Sequence, residues 1–169
     1  MKKFLFQVSA LLFLAVITTA ATCGKDDEDS TPEFTPLVGQ WELLYFTFEA
    51  TEQDDEVISS LNEFKKNGHS LIWEFFDTGK MVATEENSAS VESNWELNVT
   101  NLIGHNIDKG TLILTGDYAD QVGAALELDE LAYSIETSEE AQIMNLAVDA
   151  SSTSEVYKKV IITYTYHKI

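Results

Sequence analysis

The chain contains no arginine. All 10 of its basic side chains are lysines, set against 29 Asp and Glu in 169 residues, for a formal charge of −19. Loss of a leader carrying Lys2 and Lys3 leaves 8 lysines against the same 29 acids, a net charge of −21. Phosphate binding needs a basic patch that releases counterions, and bidentate phosphate recognition needs guanidinium, so nucleic acid is excluded as a partner. Cysteine occurs once, which excludes a disulfide framework and any multi-cysteine zinc site. Proline occurs twice, at Pro32 and Pro36, so the 133 residues from Leu37 to Ile169 have none. No apolar run reaches the ~20 residues of a permanent membrane helix. With 44% apolar residues, the chain is too apolar for disorder and fits one globular domain plus processing segments.

Those segments stand at the N-terminus. Met1-Lys2-Lys3 precedes an apolar run, Phe4 to Ile17, interrupted only by Gln7 and Ser9, and then the small residues Thr18-Thr19-Ala20-Ala21-Thr22. This is the order of a secretory signal peptide. Cleavage after Ala21 and cleavage before Cys23 compete. An exported chain with one cysteine would carry an unpaired thiol, whereas acylation of an N-terminal Cys23 gives that residue a task.

Ala20-Ala21-Thr22-Cys23 resembles the lipobox of bacterial lipoproteins, and Cys23-Gly24-Lys25-Asp26-Asp27-Glu28-Asp29 resembles the acidic surface-export tag of Bacteroidota-type lipoproteins. The resemblance implies a signal peptide over 1–22, lipidation at Cys23, and an outer-membrane protein facing the cell surface or, failing that, the periplasm. Its membrane partner is reached through the acyl chains, each buried methylene contributing about 0.8 kcal/mol. Residues 23–36 then read as an acidic tether, and 37–169 as the folded domain.

Within that domain apolar alternation keeps returning. Val91, Ser93, Trp95, Leu97 and Val99 alternate strictly with Glu92, Asn94, Glu96 and Asn98, the two-residue period of a strand with one face in a core. Val160, Ile162, Tyr164 and Tyr166 repeat the pattern near the C-terminus. The same reading predicts eight strands near 38–48, 69–77, 80–86, 90–99, 109–115, 126–137, 141–149 and 155–168. Asp77-Thr78-Gly79 marks a tight hairpin. The sixth strand changes phase between Leu128 and Leu131, which predicts a bulge near Asp129-Glu130. One helix is expected between strands 1 and 2, capped by Asp54 or Asp55, carrying Val57, Leu61 and Phe64 at helical spacing and stopped by Gly68. The first strand is apolar on both faces, Trp41, Leu43 and Tyr45 against Leu44, Phe46 and Phe48, so this helix is expected to cover the outer set or close one barrel end.

Eight sequential strands with short turns predict an all-β, antiparallel up-and-down barrel, since closure removes exposed edges, with a two-sheet sandwich as the alternative. Leu37-Val38-Gly39-Gln40-Trp41 at the first strand resembles the G-x-W signature of lipocalins and bacterial lipocalin-like domains, with further similarity at Trp73-Glu74-Phe75-Phe76-Asp77-Thr78-Gly79 and Asn94-Trp95-Glu96-Leu97. The resemblance implies that Gly39 and Trp41 form a closed barrel base. Lipocalins stack an arginine of the last strand on that tryptophan, and here Lys168 or Lys159 is the available substitute. It also implies a non-enzymatic protein binding a small apolar or amphipathic ligand.

The residues carry little chemistry besides. His69, His105 and His167 are isolated, no nucleophile elbow or phosphate loop occurs, and pairs such as Asp54-Asp55 lack the calcium-loop pattern. No catalytic residue, metal site or cofactor is therefore assigned. Inward faces offer Trp73, Phe75, Trp95, Leu97, Tyr45 and Tyr164 as candidate ligand contacts, with Trp73, Phe75 and Trp95 expected away from the G-x-W end. An acidic chain without arginine favours neutral or cationic ligands over carboxylates. The competing reading is a barrel filled by its own side chains, acting as an interaction module for an envelope protein or glycan. For the leader the test is direct: Cys23→Ser should move the protein from the membrane fraction to the soluble exported fraction, and an unchanged membrane distribution would contradict lipidation.

Overall fold

The computed structural model describes residues 36–169. The predicted leader, Cys23 and the tether up to Thr35 lie outside the described residues. The elements are β1 (Gly39–Thr51), β2 (Val57–Asn62), β3 (Leu71–Phe75), β4 (Lys80–Glu85), β5 (Val91–Ile103), β6 (Asn106–Thr115), α1 (Asp117–Leu126), β7 (Leu131–Ser138), β8 (Ile143–Asp149) and β9 (Lys159–Lys168), with a 3-10 turn at Ser151–Thr153. Strands β3 to β9 pair antiparallel in chain order, and β1 closes the ring by pairing with both β3 and β9. Eight strands thus form a closed barrel, each at a position that alternation predicts.

The ninth strand is a correction. Residues 57–62 form β2, not a helix, and pair with Phe46–Thr51 of β1. Val57 and Ile58 are β-branched and Ser59-Ser60 are weak helix formers, so the backbone favours a hairpin arm. Val57 and Leu61, read as a helical stripe, are exposed on that arm. Asp55 takes the left-handed conformation of a turn, and Glu52 N–H donates to Glu56 O at 2.8 Å. Because β2 and β3 both run antiparallel to β1 along one edge, they amount to one strand interrupted by residues 63–70.

That interruption faces a bulge. On β1, Leu43 opposes Tyr166 and Tyr45 opposes Thr165, which leaves Leu44 as an extra residue. The bulge reverses the phase of the strand: Trp41 and Leu43 point inward before it, whereas Phe46, Phe48 and Ala50 join the interior clusters after it. Tyr45 is turned outward and 38% exposed. The doubly apolar first strand therefore needs no covering helix, because each apolar set faces inward over half its length.

The helix that does exist lies between β6 and β7. Its first turn holds Asp117 and Asp120, which suit the positive end of the dipole. Ser93 Oγ, buried on β5, accepts from Ala119 N–H at 3.1 Å and ties the helix start to the barrel. At the other end Glu127 is left-handed, Leu128 N–H donates to Gly123 O at 2.8 Å, and Glu127 N–H to Ala124 O at 3.4 Å, a Schellman closure. A Cβ at Gly123 would stand 3.0 Å from Leu128 O, a tight approach that glycine avoids. The expected bulge at Asp129-Glu130 is replaced by this boundary between helix and strand.

One barrel end is closed around Trp41. Its indole N–H donates to Leu37 O at 2.7 Å, and Lys168 Nζ of β9 sits 5.3 Å from its ring centroid. Gly39 has φ +121°, and a Cβ there would meet Lys168 Cε at 3.2 Å. The glycine of G-x-W thus makes room for the lysine stem that covers the tryptophan. Removing a buried Trp costs about 3–5 kcal/mol, a large share of the roughly 5–15 kcal/mol that holds a domain together. Trp41→Ala should therefore strongly lower the urea midpoint, and Lys168→Ala should lower it slightly, by the loss of the ~0.5–1 kcal/mol of stability that an exposed cation–π contact contributes. Midpoints equal to wild type in both variants would contradict the closed base.

Candidate ligand-binding cavity

The chain enters the barrel at the closed end, so the β3–β4, β5–β6 and β7–β8 turns share that end, whereas α1 and the β1–β2, β4–β5 and β8–β9 connections lie at the other. Here the interior opens into a cavity of about 720 Å³. Its volume falls within the roughly 300–1,000 Å³ of small-molecule sites. Phe46 and Phe48 of β1, Phe64 of the 63–70 segment, Tyr118 and Val122 of α1, and Tyr164 of β9 form its apolar wall.

Sequence periodicity explains the depth of the cavity strand by strand. On β3, Leu71 lines it, while Trp73 and Phe75, the next residues on the same face, are buried toward the closed end. On β4, Glu85 and Ala83 line it and Met81 is buried below; on β9, Ile162 and Tyr164 line it and Tyr166 is buried below. The inner face of the barrel is continuous; among the described residues its closed half is filled by buried side chains and its mouth half is hollow.

The sequence candidates divide accordingly. Tyr164 lines the cavity. Trp73, Phe75, Trp95 and Leu97 belong to or pack on the filled core, and Tyr45 is outside. Trp73 was expected away from the G-x-W end, yet β1–β3 pairing sets it directly opposite Trp41, and Gly39 opposite Phe75. Strand positions were legible in the sequence; the register that decides depth was not. Trp95 is likewise held near the closed end, its indole N–H shared between Phe76 O at 3.1 Å and Lys80 O at 3.0 Å of the β3–β4 turn. All three indoles are thus hydrogen-bonded within the fold, the third through Trp73 Nε1 donating to Tyr118 Oη at 3.3 Å.

The floor is an aromatic cluster around Trp73, with ring centroids at 4.8 Å for Tyr166, 5.5 Å for Tyr118, 6.0 Å for Phe75 and 6.1 Å for Tyr133. Edge contacts among such rings add roughly 0.5–1.5 kcal/mol per pair beyond burial. Burial pushes the Tyr118 phenol up to about 12, despite the Trp73 hydrogen bond that acts the other way, and it also raises Tyr133, Tyr164 and Tyr166. These hydroxyls stay neutral at physiological pH. Tyr118 accepts from Trp73 and still has its own proton to donate.

Elsewhere the titratable groups do not converge on a site. His69 stacks on Phe64 at 5.2 Å, His105 is in the β5–β6 turn, and His167 lies opposite Glu42 on the outside. Carboxylates of Glu52, Asp54 and Glu56 come within 4.8 Å of one another on the β1–β2 turn, where Lys158 pairs with Asp55. That turn is solvated. No known protein family, characterised protein or solved structure matches the chain.

The tyrosines give a pH test. Their folded pKa values lie above the unfolded 10.0, so their contribution to stability is complete below pH 10 and is lost as pH rises toward about 12. Phenolate absorbance of the native protein should lag behind that of the unfolded chain for Tyr118, Tyr133, Tyr164 and Tyr166, with release on alkaline unfolding. All six tyrosines ionising together near the unfolded value, with circular dichroism unchanged, would contradict the buried cluster.

Proposed function

We propose that this is a lipid-anchored, non-enzymatic envelope protein with a lipocalin-like barrel that holds a small apolar or amphipathic molecule in its mouth half. The observation that carries the reading is the cavity: about 720 Å³, walled mainly by aromatic and aliphatic side chains, with the neutral phenols of Tyr118 and Tyr164 among them. Buried phenols supply orientation without charge, which suits a ligand with few polar groups.

The lipocalin-like assignment draws on the closed barrel, the G-x-W start of β1, and Lys168 standing over Trp41 where that family places arginine. Anchorage draws on the leader and on Cys23. The interaction-module alternative draws on the exposed Leu102 and Ile103 at the β5–β6 tip.

An environment-sensitive apolar dye should bind with a dissociation constant near ~1 μM, equivalent to about −8 kcal/mol, and should quench tryptophan fluorescence through Trp73 beneath Tyr118. Val122→Trp fills the cavity from α1 and should abolish dye binding while circular dichroism remains native. Failure of every apolar probe to bind the wild type would move the assignment to an interaction module.

A further inference from the structure

We propose that the cavity selects an amphiphile with a cationic head, an amine or quaternary ammonium, held between Glu85 and the aromatic wall. The inference rests on the ligand-binding reading above and names the chemistry of the occupant.

Glu85 is the only charged residue among those that line the cavity. It ends β4 on the inward face, in phase with Met81 and Ala83, and is solvent-exposed at the mouth. Among the described residues no lysine pairs with it: Lys65 is engaged by Glu42, Lys66 by Glu63, Lys80 by Glu92 and Lys158 by Asp55. A carboxylate ligand would meet this charge with no cation to offset it. A neutral ligand would leave this charge in water and gain nothing from it.

A cationic head meets both requirements. Phe46, Phe48, Phe64, Tyr118 and Tyr164 line the same cavity, and the faces of aromatic rings attract ammonium groups most strongly when partly desolvated. Burial is the main cause of the raised Tyr118 phenol, and the charge of Glu85 adds a minor push in the same direction. The apolar body of the ligand then lies against Ala83 and Leu43, deeper in the barrel.

The test compares three ten-carbon probes below their micellar concentrations, decyltrimethylammonium, 1-decanol and decanoate, by calorimetry on the full chain. The cation should bind at least about fivefold more tightly than the alcohol, and decanoate most weakly. Glu85→Gln should bring the cation to the affinity of the alcohol and leave the alcohol unchanged. Glu136→Gln, exposed on the outer face of β7, removes the same charge and should change neither. Equal affinities for cation and alcohol in the wild type, a cation preference that survives Glu85→Gln, or an equal loss in Glu136→Gln would overturn the proposal while leaving a ligand cavity standing. Absence of binding by all three probes would overturn the ligand-binding reading as well.

Discussion

The extra residue at Leu44 governs how this barrel is built. A strand with strict alternation would place Phe46 and Phe48 in water; the bulge turns them inward and sends Tyr45 out. It also breaks the neighbouring edge. Leu44 O accepts from Lys65 N–H at 3.0 Å, and the Lys65 side chain reaches Glu42, so residues 63–70 leave the sheet opposite the bulge. This excursion carries Phe64 to the cavity wall. One inserted residue therefore accounts for the split between β2 and β3, for two of the aromatic walls on β1, and for a third on the adjoining segment.

The two halves of the barrel obey different constraints. In the closed half, Trp41, Phe75, Met81, Leu112, Leu114, Met144 and Leu146 are buried in one continuous cluster, and Lys168 covers its end. At the mouth, side chains of similar size stand around space because α1 and the 63–70 segment, in place of further strand, complete the wall. Trp73 and its tyrosines form the boundary. A rigid packed half below an open half is a sound foundation for binding, since wall positions are fixed before any ligand arrives.

Much of this was legible in the sequence, and what was not has identifiable causes. Alternation located β5 and β9 because each has a single apolar phase over most of its length. Lys168 was one of the two lysines, with Lys159, that the lipocalin resemblance offered as a substitute for arginine over Trp41, and it is the one that stands there. The helix was misplaced because Val57, Leu61 and Phe64 happen to recur at helical spacing, whereas Ala119, Val122 and Leu126 do so around Gly123, just after Gly116. Gly123 in fact suits the closure of α1, since a Cβ there would be tight against Leu128 O. Of the candidate contacts only Tyr164 reaches the cavity, because depth depends on strand register, which leaves no mark in the two-residue period, and on the β1 bulge, whose mark, apolar residues on both faces, reads equally as a surface for a covering helix.

The claim on which the account turns is that the barrel is hollow only at its α1 end. Chemical-shift mapping with a bound apolar dye tests it most directly. The account predicts perturbations at Phe46, Phe48, Phe64, Tyr118, Val122 and Tyr164, with Trp95, Leu97, Leu112 and Met144 unmoved. Perturbations centred on Trp95 and Leu97, at the closed end, would contradict it.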